Sequence, residues 1–114
     1  MDLNIVKKPH ECCTKEEVRD EIDRIDRHII DLFALRFDYV KAIVKFKQDK
    51  ESVVAIDRKE QVIRQRALWA KELGLDEATF EAIYRILIDS NIEKEMDLLT
   101  KKLQYNFDNV QERD

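Results

Sequence analysis

Apolar residues recur at steps of three and four through the first half of the chain, which is the spacing of an amphipathic helix. Thr14 and Glu17 open this stretch as a capping box, in which each side chain satisfies an unpaired backbone N–H group. The pattern predicts one long helix from Thr14 to about residue 48. Its apolar stripe consists of Val18, Ile22, Ile25, Ile29, Leu32, Phe33, Val40 and Ile43.

Two further helices are predicted in the second half of the chain, after a connection at residues 48–55. The second helix begins at about Asp57 and stops at Gly74, because glycine readily adopts the left-handed conformation of a helix C-cap. Asp76 is a favourable N-cap for the third helix. The apolar positions are Val62, Ile63, Ala67, Trp69, Ala70 and Leu73 in the second helix and Phe80, Ile83, Tyr84, Leu87, Leu98, Leu99 and Leu103 in the third.

The composition agrees with an all-α protein of one domain. The chain has 114 residues with a single glycine and a single proline, and residues 10–73 contain neither. A β-sandwich or a Gly-rich phosphate loop needs many more turn residues, so both are excluded. The helical domain is predicted to span residues 14–106, between a flexible N-terminal arm at 1–13 and a polar C-terminal tail at 107–114.

Charge and hydropathy narrow the class of function. The net charge of −4 argues against a nucleic-acid-binding protein. No apolar run is long enough to span a membrane and the N-terminus lacks the apolar core of a signal peptide, so we expect a cytoplasmic protein. His10, Cys12 and Cys13 have no second ligand pair at zinc spacing, and we expect no metal ion and no cofactor.

The length of the first helix predicts a homodimer. A helix of about 34 residues is roughly 50 Å long, whereas a compact chain of this size has a radius of gyration near 13 Å. The other two helices are too short to cover the whole apolar stripe. A second copy of the chain, related by a two-fold axis, is the simplest way to bury it.

Several cationic residues fall where the first helix is otherwise apolar. Arg36 and Lys47 continue the register of Ile25, because eleven residues turn a helix by about 1100°, some 20° beyond three full turns. Cations that point inward are costly unless an anion meets them. Arg19 lies about 100° around the helix from Arg36 and so faces a different direction. We expect it to face the other subunit.

Asn91 and Glu95 likewise interrupt the stripe of the third helix. Two interpretations are open. In the first, each cation pairs with an acid, Arg36 with Glu95 and Lys47 with Asp57, and the role is structural. In the second, the polar groups surround a cationic pocket between helices, the usual place for a ligand site in a bundle. Inward polar groups on separate helices favour the pocket, which should bind a small anion such as a carboxylate.

These residues, at these spacings, resemble the all-helical AroQ class of chorismate mutases. The resemblance covers roughly residues 14–99. It implies a three-helix protomer with one very long N-terminal helix, intertwined into a homodimer with shared active sites (the chorismate mutase II fold). The matching segments are Val18-Arg19, Glu21-Ile22-Asp23-Arg24-Ile25-Asp26, Leu35-Arg36, Val40-Lys41-Ala42, Phe46-Lys47 and Ile56-Asp57-Arg58.

The resemblance also implies a role for each matching cation. Arg19 resembles the arginine that reaches across the dimer to a substrate carboxylate. Arg36 and Arg58 resemble the arginines that hold the substrate carboxylates from the same subunit. Lys47 matches the lysine that contacts the ether oxygen of the substrate.

The implied reaction is the pericyclic rearrangement of chorismate to prephenate, which needs no nucleophile, proton transfer or metal. The enzyme holds a flexible dianion in its folded conformer, and Lys47 stabilises the charge that develops on the ether oxygen. Glu95 stands where the family usually has Gln, and it helps only when protonated, because an ionised carboxylate donates no hydrogen bond. We therefore expect activity to favour mildly acidic pH. Asn91 is expected to bind substrate.

Lys59 departs from the mutase pattern, because mutases commonly carry a Glu there that contacts the ring hydroxyl of the substrate. Ala55 likewise replaces an acidic residue. Several segments resemble the isochorismate–pyruvate lyases, which share the fold and convert isochorismate to salicylate and pyruvate, although that subfamily has Gln where this chain has Glu95. These segments are 36–42, 46–47, 66–70 and 74–76.

Chorismate mutase is thus the preferred prediction and the lyase its alternative. A third hypothesis, from another class, is a non-catalytic helical dimer that serves as a regulatory or interaction module. Such a dimer should gain no thermal stability from dicarboxylates, whereas a binding pocket must gain stability by mass action.

Overall fold

A computed structural model describes the chain from residue 3 to residue 112, with side chains as far as Asn109. Residues 1, 2, 113 and 114 of the predicted arm and tail lie outside the described residues. The chain divides into two compact units, residues 1–39 and 40–114. Every regular element in the described range is helical, which confirms the all-α prediction. The helices are α1 (Lys15–Ile43), α2 (Lys50–Val54), α3 (Ile56–Glu72) and α4 (Glu77–Glu112), with 3₁₀ turns at Pro9–Glu11 and Val44–Phe46.

In the first unit the N-terminal arm is bonded to the start of α1. The Thr14 hydroxyl accepts from the Glu17 N–H at 3.1 Å, as predicted, but the Glu17 carboxylate accepts from the Cys13 N–H at 3.0 Å, one residue before the cap. The buried Glu21 carboxylate accepts from the N–H groups of Val6 and Lys7, both at 3.2 Å. These bonds fix the arm on the first two turns of α1.

The apolar stripe of α1 is exposed in the single chain. Ile22 is 48% exposed and Ile29 is 41% exposed, although the 3.6-residue period makes them one continuous face. Val18, Ile25, Leu32 and Ile43 are also exposed. A stripe of this length on a soluble helix normally packs against another element.

The end of α1 differs from the prediction. The helix stops at Ile43 rather than near residue 48, and the chain continues as the 3₁₀ turn and an extended Lys47. Val44 leaves the helical path to join a buried cluster with Val53 and Leu99. The burial of Val44 against Val53 and Leu99 thus outweighs the local preference for helix. The apolar pattern of α1 alone does not reveal this contact.

In the second unit α3 and α4 form a helical hairpin. Gly74 takes the predicted left-handed conformation at φ 78°, and the Asp76 carboxylate accepts from the Thr79 N–H at 2.9 Å as the predicted N-cap. The short helix α2 lies inside the predicted connection, at residues 50–54. The last helix continues past residue 106, where the tail was expected to begin, to Glu112.

The buried face of α3 consists of Val62, Ile63, Ala67 and Ala70. Trp69 and Leu73 were predicted on this face, but they are 49% and 81% exposed. Leu73 follows the last residue of α3, so the helical period no longer places its side chain. A bidentate pair holds the two helices together: Arg85 donates to both carboxylate oxygens of Glu60, at 2.8 and 3.0 Å. None of the described helices is both long and apolar enough to cross a membrane.

Candidate active site

Lys47 lies in the extended segment that follows the 3₁₀ turn, and not on the helical face that the sequence predicted. The helical arithmetic that aligned it with Arg36 fails because α1 ends at Ile43. The Lys47 N–H donates to the Val44 carbonyl at 3.1 Å. Its ammonium group donates to the Ser52 carbonyl at 2.6 Å, which fixes the side chain at both ends.

The acceptor of the Lys47 ammonium group belongs to α2, and Asp49 caps this helix. The Asp49 carboxylate accepts from the Ser52 N–H and from the Ser52 hydroxyl, both at 2.8 Å. Because both groups donate to the charged form, they lower the pKa of Asp49 below its ordinary value of 3.8. The cap therefore holds Ser52 in place, and Ser52 holds Lys47.

Arg58 is the third residue of α3 and is exposed. Its guanidinium group donates to the Gln61 side chain at 3.4 Å. The first turn of a helix carries unpaired N–H groups and the positive end of the helix dipole, so a cation there adds to an existing attraction for anions. Ala55, immediately before α3, has φ 36° and ψ 62°, a left-handed conformation that an alanine adopts only at a cost.

Lys59, next to Arg58, points to α4. Its ammonium group forms an ion pair with the Asp89 carboxylate at 2.5 Å, and its side chain is 21% exposed. A lysine side chain has no acceptor for a substrate hydroxyl. The pair also ties the first turn of α3 to the middle of α4.

Asn91 and Glu95 are buried on α4, with 8% and 7% of their surface exposed. They lie one turn apart on the same face, as the sequence pattern predicted. Leu99, one turn further on, belongs to the buried cluster with Val44. The polar pair thus sits on the row of α4 that leads to the segment carrying Lys47.

Arg19 and Arg36 both lie on α1, in the first unit. Arg19 is exposed and Arg36 is half-buried. Seventeen residues separate them, which is about 25 Å along a helix axis. The two arginines are therefore too far apart on one chain to bind the same small molecule.

Sequence analysis missed Lys102. It follows Glu95 by seven residues, two full turns, which places it on the same face of α4. Its ammonium group donates to the carbonyls of Val44, Lys45 and Lys47, at 3.3, 3.3 and 3.0 Å. The seven-residue spacing from Glu95 could have identified Lys102 in the sequence, but the carbonyl partners of Lys102 could not be predicted from it.

Residues 18–96, more than half of the chain, match the family model of chorismate mutase type II. The chain belongs to the chorismate mutase type II family. Over 83 residues it is also 36% identical to the isochorismate pyruvate lyase of Pseudomonas aeruginosa, a stretch that covers 73% of this chain and 82% of that relative. The predicted AroQ-class resemblance, with its lyase-like subfamily, is confirmed.

As a member of the chorismate mutase type II family, the chain is an enzyme of the chorismate mutase type. The family model covers α1 from Val18 and α4 as far as Met96. Asn91 and Glu95 therefore lie within the matched range, whereas Lys102 lies beyond it. The family resemblance alone would not have drawn attention to Lys102.

Proposed function

We propose that this chain rearranges chorismate to prephenate in a single pericyclic step. The observation that carries the proposal is the placement of Lys47, a half-buried residue hydrogen-bonded at its backbone and at its ammonium group, on a segment bonded to the helix that buries Asn91 and Glu95. The membership of the chorismate mutase type II family supports the same reaction. The rearrangement makes and breaks bonds within one molecule, so it requires positioning and charge stabilisation only.

In this mechanism Lys47 faces the ether oxygen, where negative charge grows as the C–O bond breaks. A fixed ammonium group stabilises that charge without reorganising during the reaction. Arg36 and Arg58 hold the substrate carboxylates, which favours the folded conformer over the extended one. Asn91 binds substrate, and Glu95 donates a hydrogen bond when it is protonated.

The proposed site needs a second copy of the chain. Arg19 and Arg36 lie about 25 Å apart along α1, so a site that uses both must take them from two chains. The exposed stripe of α1 supports this arrangement, because a second long helix would bury it. We therefore propose a homodimer with two equivalent sites, each completed by the Arg19 of the other subunit. Its cytoplasmic location remains a prediction.

The second candidate function is the release of pyruvate from isochorismate, which leaves salicylate. One relative, the Pseudomonas aeruginosa protein, carries the name of this activity at 36% identity. Lys59 adds a second reason, because it stands where mutases are expected to offer a carboxylate to the ring hydroxyl, and its ammonium group pairs with Asp89. Both reactions break the same kind of C–O bond and use the same cations.

Separate reactions with chorismate and with isochorismate test the proposal, with products resolved by chromatography. Prephenate from chorismate, with little salicylate from isochorismate, is the result expected of a mutase. Efficient formation of salicylate and pyruvate would assign the second candidate function. Turnover of neither substrate, together with no thermal stabilisation by dicarboxylates, would instead leave a non-catalytic helical dimer.

A further inference from the structure

The backbone that carries Lys47 is held by a residue 55 positions further along the chain. The Lys102 ammonium group donates to the carbonyls of Val44, Lys45 and Lys47, at 3.3, 3.3 and 3.0 Å. These carbonyls belong to the 3₁₀ turn that follows α1 and to the residue after it, and the Val44 carbonyl also accepts from the Lys47 N–H at 3.1 Å. An ammonium group has three donors, so one side chain can satisfy all three.

We propose that Lys102 is a positioning residue for Lys47, an inference that rests on the proposed function. Lys102 bonds the carbonyl of Lys47, while the N–H of Lys47 donates to Val44 at 3.1 Å. The segment is thereby fixed to α4, two turns from Glu95. Lys102 itself does not touch the reacting atoms. Its effect is to fix the position of the Lys47 backbone, from which the Lys47 side chain extends.

The contact matters because this segment lies between two helices and is part of neither. The α-helix ends at Ile43, and residues 47 to 49 have no regular structure before α2 begins at Lys50. The apolar anchor is Val44, which is 5% exposed. Beyond Val44 the carbonyl bonds to Lys102 extend the attachment to Lys47. A displacement of about 1 Å at a catalytic group can lower a rate about 100-fold.

Lys102 also adds positive charge, and the test must separate this effect from positioning. It lines a groove of about 520 Å³ with Lys41, Val44, Lys45 and Leu98. The loss of a nearby cation weakens attraction for a dianionic substrate, which raises KM. The loss of the carbonyl bonds moves Lys47 away from the ether oxygen, which lowers kcat.

The test compares Lys102→Met with Lys102→Arg and with Lys101→Met. Methionine keeps an unbranched apolar stem but donates no hydrogen bond, whereas arginine can still donate to the carbonyls. Lys101 is the exposed neighbour, so its substitution makes the same change of charge on the outer face of α4. We expect Lys102→Met to lower kcat about 10- to 100-fold, with only the rise in KM that the loss of one cation from the groove produces. Arginine should recover most of kcat, and Lys101→Met should match the wild type.

Lys45→Met is the control for charge within the groove. Its side chain lines the same groove, and the substitution leaves the Lys45 carbonyl in place. We expect a rise in KM with kcat within about twofold of the wild type. An equal loss of kcat in Lys45→Met and Lys102→Met would overturn the positioning role in favour of charge alone.

Hydrogen–deuterium exchange supplies a readout that does not depend on turnover. In Lys102→Met, the amide of Lys47 and its neighbours at 44–49 should exchange faster, while α3 keeps its wild-type protection. Faster exchange throughout the chain would show a general structural role and overturn the inference. Wild-type exchange at 44–49 would also overturn it.

The failure of this inference and the failure of the proposed function give different results. If the wild-type protein turns over neither substrate, the proposed function is wrong and Lys102 positions no catalytic group. In that case exchange at 44–49 still shows whether Lys102 holds the segment. If the wild type is active and Lys102→Met keeps its kcat, the function stands and only the positioning role is overturned.

Discussion

The ammonium group of Lys47 has an acceptor before any substrate arrives. The Ser52 carbonyl accepts from it at 2.6 Å, and because an ammonium group has three donors, it can also donate to an ether oxygen without leaving Ser52. A neutral ether is a weaker acceptor than a carbonyl, but an oxygen that gains negative charge is a stronger one. An ammonium group fixed beside this oxygen therefore stabilises the transition state more than the bound substrate, which is the condition for catalysis.

Lys47→Ala should lower kcat by at least about 100-fold, the usual cost of removing one group that stabilises developing charge. Steady-state kinetics with chorismate and isochorismate would measure the loss, and circular dichroism would show whether the helical content is unchanged. Lys50→Ala is the matched control, because Lys50 is an exposed lysine at the start of α2. If Lys47→Ala kept most of the wild-type kcat, the electrostatic role of Lys47 would be ruled out.

Glu95→Gln tests whether the buried carboxyl group acts as a hydrogen-bond donor. Glutamine donates at every pH, whereas Glu95 donates only when protonated. We expect kcat of the wild type to rise from about pH 8 to about pH 5, and kcat of Glu95→Gln to vary little over the same range. A wild-type profile that is already flat, with an unaffected variant, would contradict this role.

At the scale of single elements, the short helix α2 depends on its cap. The Ser52 N–H and hydroxyl lower the pKa of Asp49, so its contribution to stability is complete above the ordinary value of 3.8 and disappears as pH falls through the lower folded value. Asp49→Asn removes the titration but keeps a capping side chain. Urea unfolding should show a larger free energy of unfolding for the wild type than for the variant at about pH 6, and a smaller difference between them at about pH 3. An equal difference at both pH values would contradict the assignment.

The junction between α2 and α3 stores strain at Ala55. A left-handed conformation costs a non-glycine residue about 1–2 kcal/mol, whereas the greater freedom of unfolded glycine costs about 0.5–1 kcal/mol. We therefore expect Ala55→Gly to raise the free energy of unfolding by about 0.5–1 kcal/mol. Ala82→Gly, at an exposed position inside α4, should lower it by a similar amount. Denaturant unfolding measures both, and two changes of the same sign would rule out strain at Ala55.

The elements that local chemistry determines could be predicted from the sequence. Thr14, Gly74 and Asp76 mark helix ends through bonds within a few residues, and all three lie where the pattern placed them. The end of α1 could not be predicted, because the burial of Val44 and the bonds from Lys102 depend on residues more than fifty positions away.

In the candidate site, too, features set by one helix could be predicted and contacts between elements could not. The burial of Asn91 and Glu95 followed from their position on an apolar face of α4. Lys47 was singled out by spacing and by resemblance, but its helical placement was wrong and its contact with Ser52 was not foreseen. Patterns along one helix identify polar residues that face inward, whereas the partners of those residues come from other elements.

At the scale of the whole molecule, the separation of Arg19 and Arg36 predicts that two inactive variants can complement each other. Arg19→Ala and Arg36→Ala should each lose most activity. If they are unfolded and refolded together in equal amounts, half of the dimers are mixed, and each mixed dimer has one intact site. We expect about a quarter of wild-type activity in the mixture, measured as turnover at saturating substrate.

Arg58→Ala mixed with Lys47→Ala is the control for this experiment. Both residues belong to the second unit and are proposed to serve one site from the same subunit. A mixed dimer of these variants has one defect in each site, so mixing should restore nothing. Recovery of activity in this control mixture would contradict the shared sites. So would the absence of recovery in the mixture of Arg19→Ala and Arg36→Ala.

If the proposed homodimer buries the exposed stripe of α1, it also affects how substitutions accumulate along that stripe. In a two-fold symmetric pair each gene encodes both sides of the interface, so a change at Ile29 occurs twice in every dimer. A mild loss of packing is therefore doubled, and so is a mild gain. The stripe should tolerate fewer substitutions than an equally apolar surface within a single chain, and compensating changes should be found at positions opposite each other across the axis.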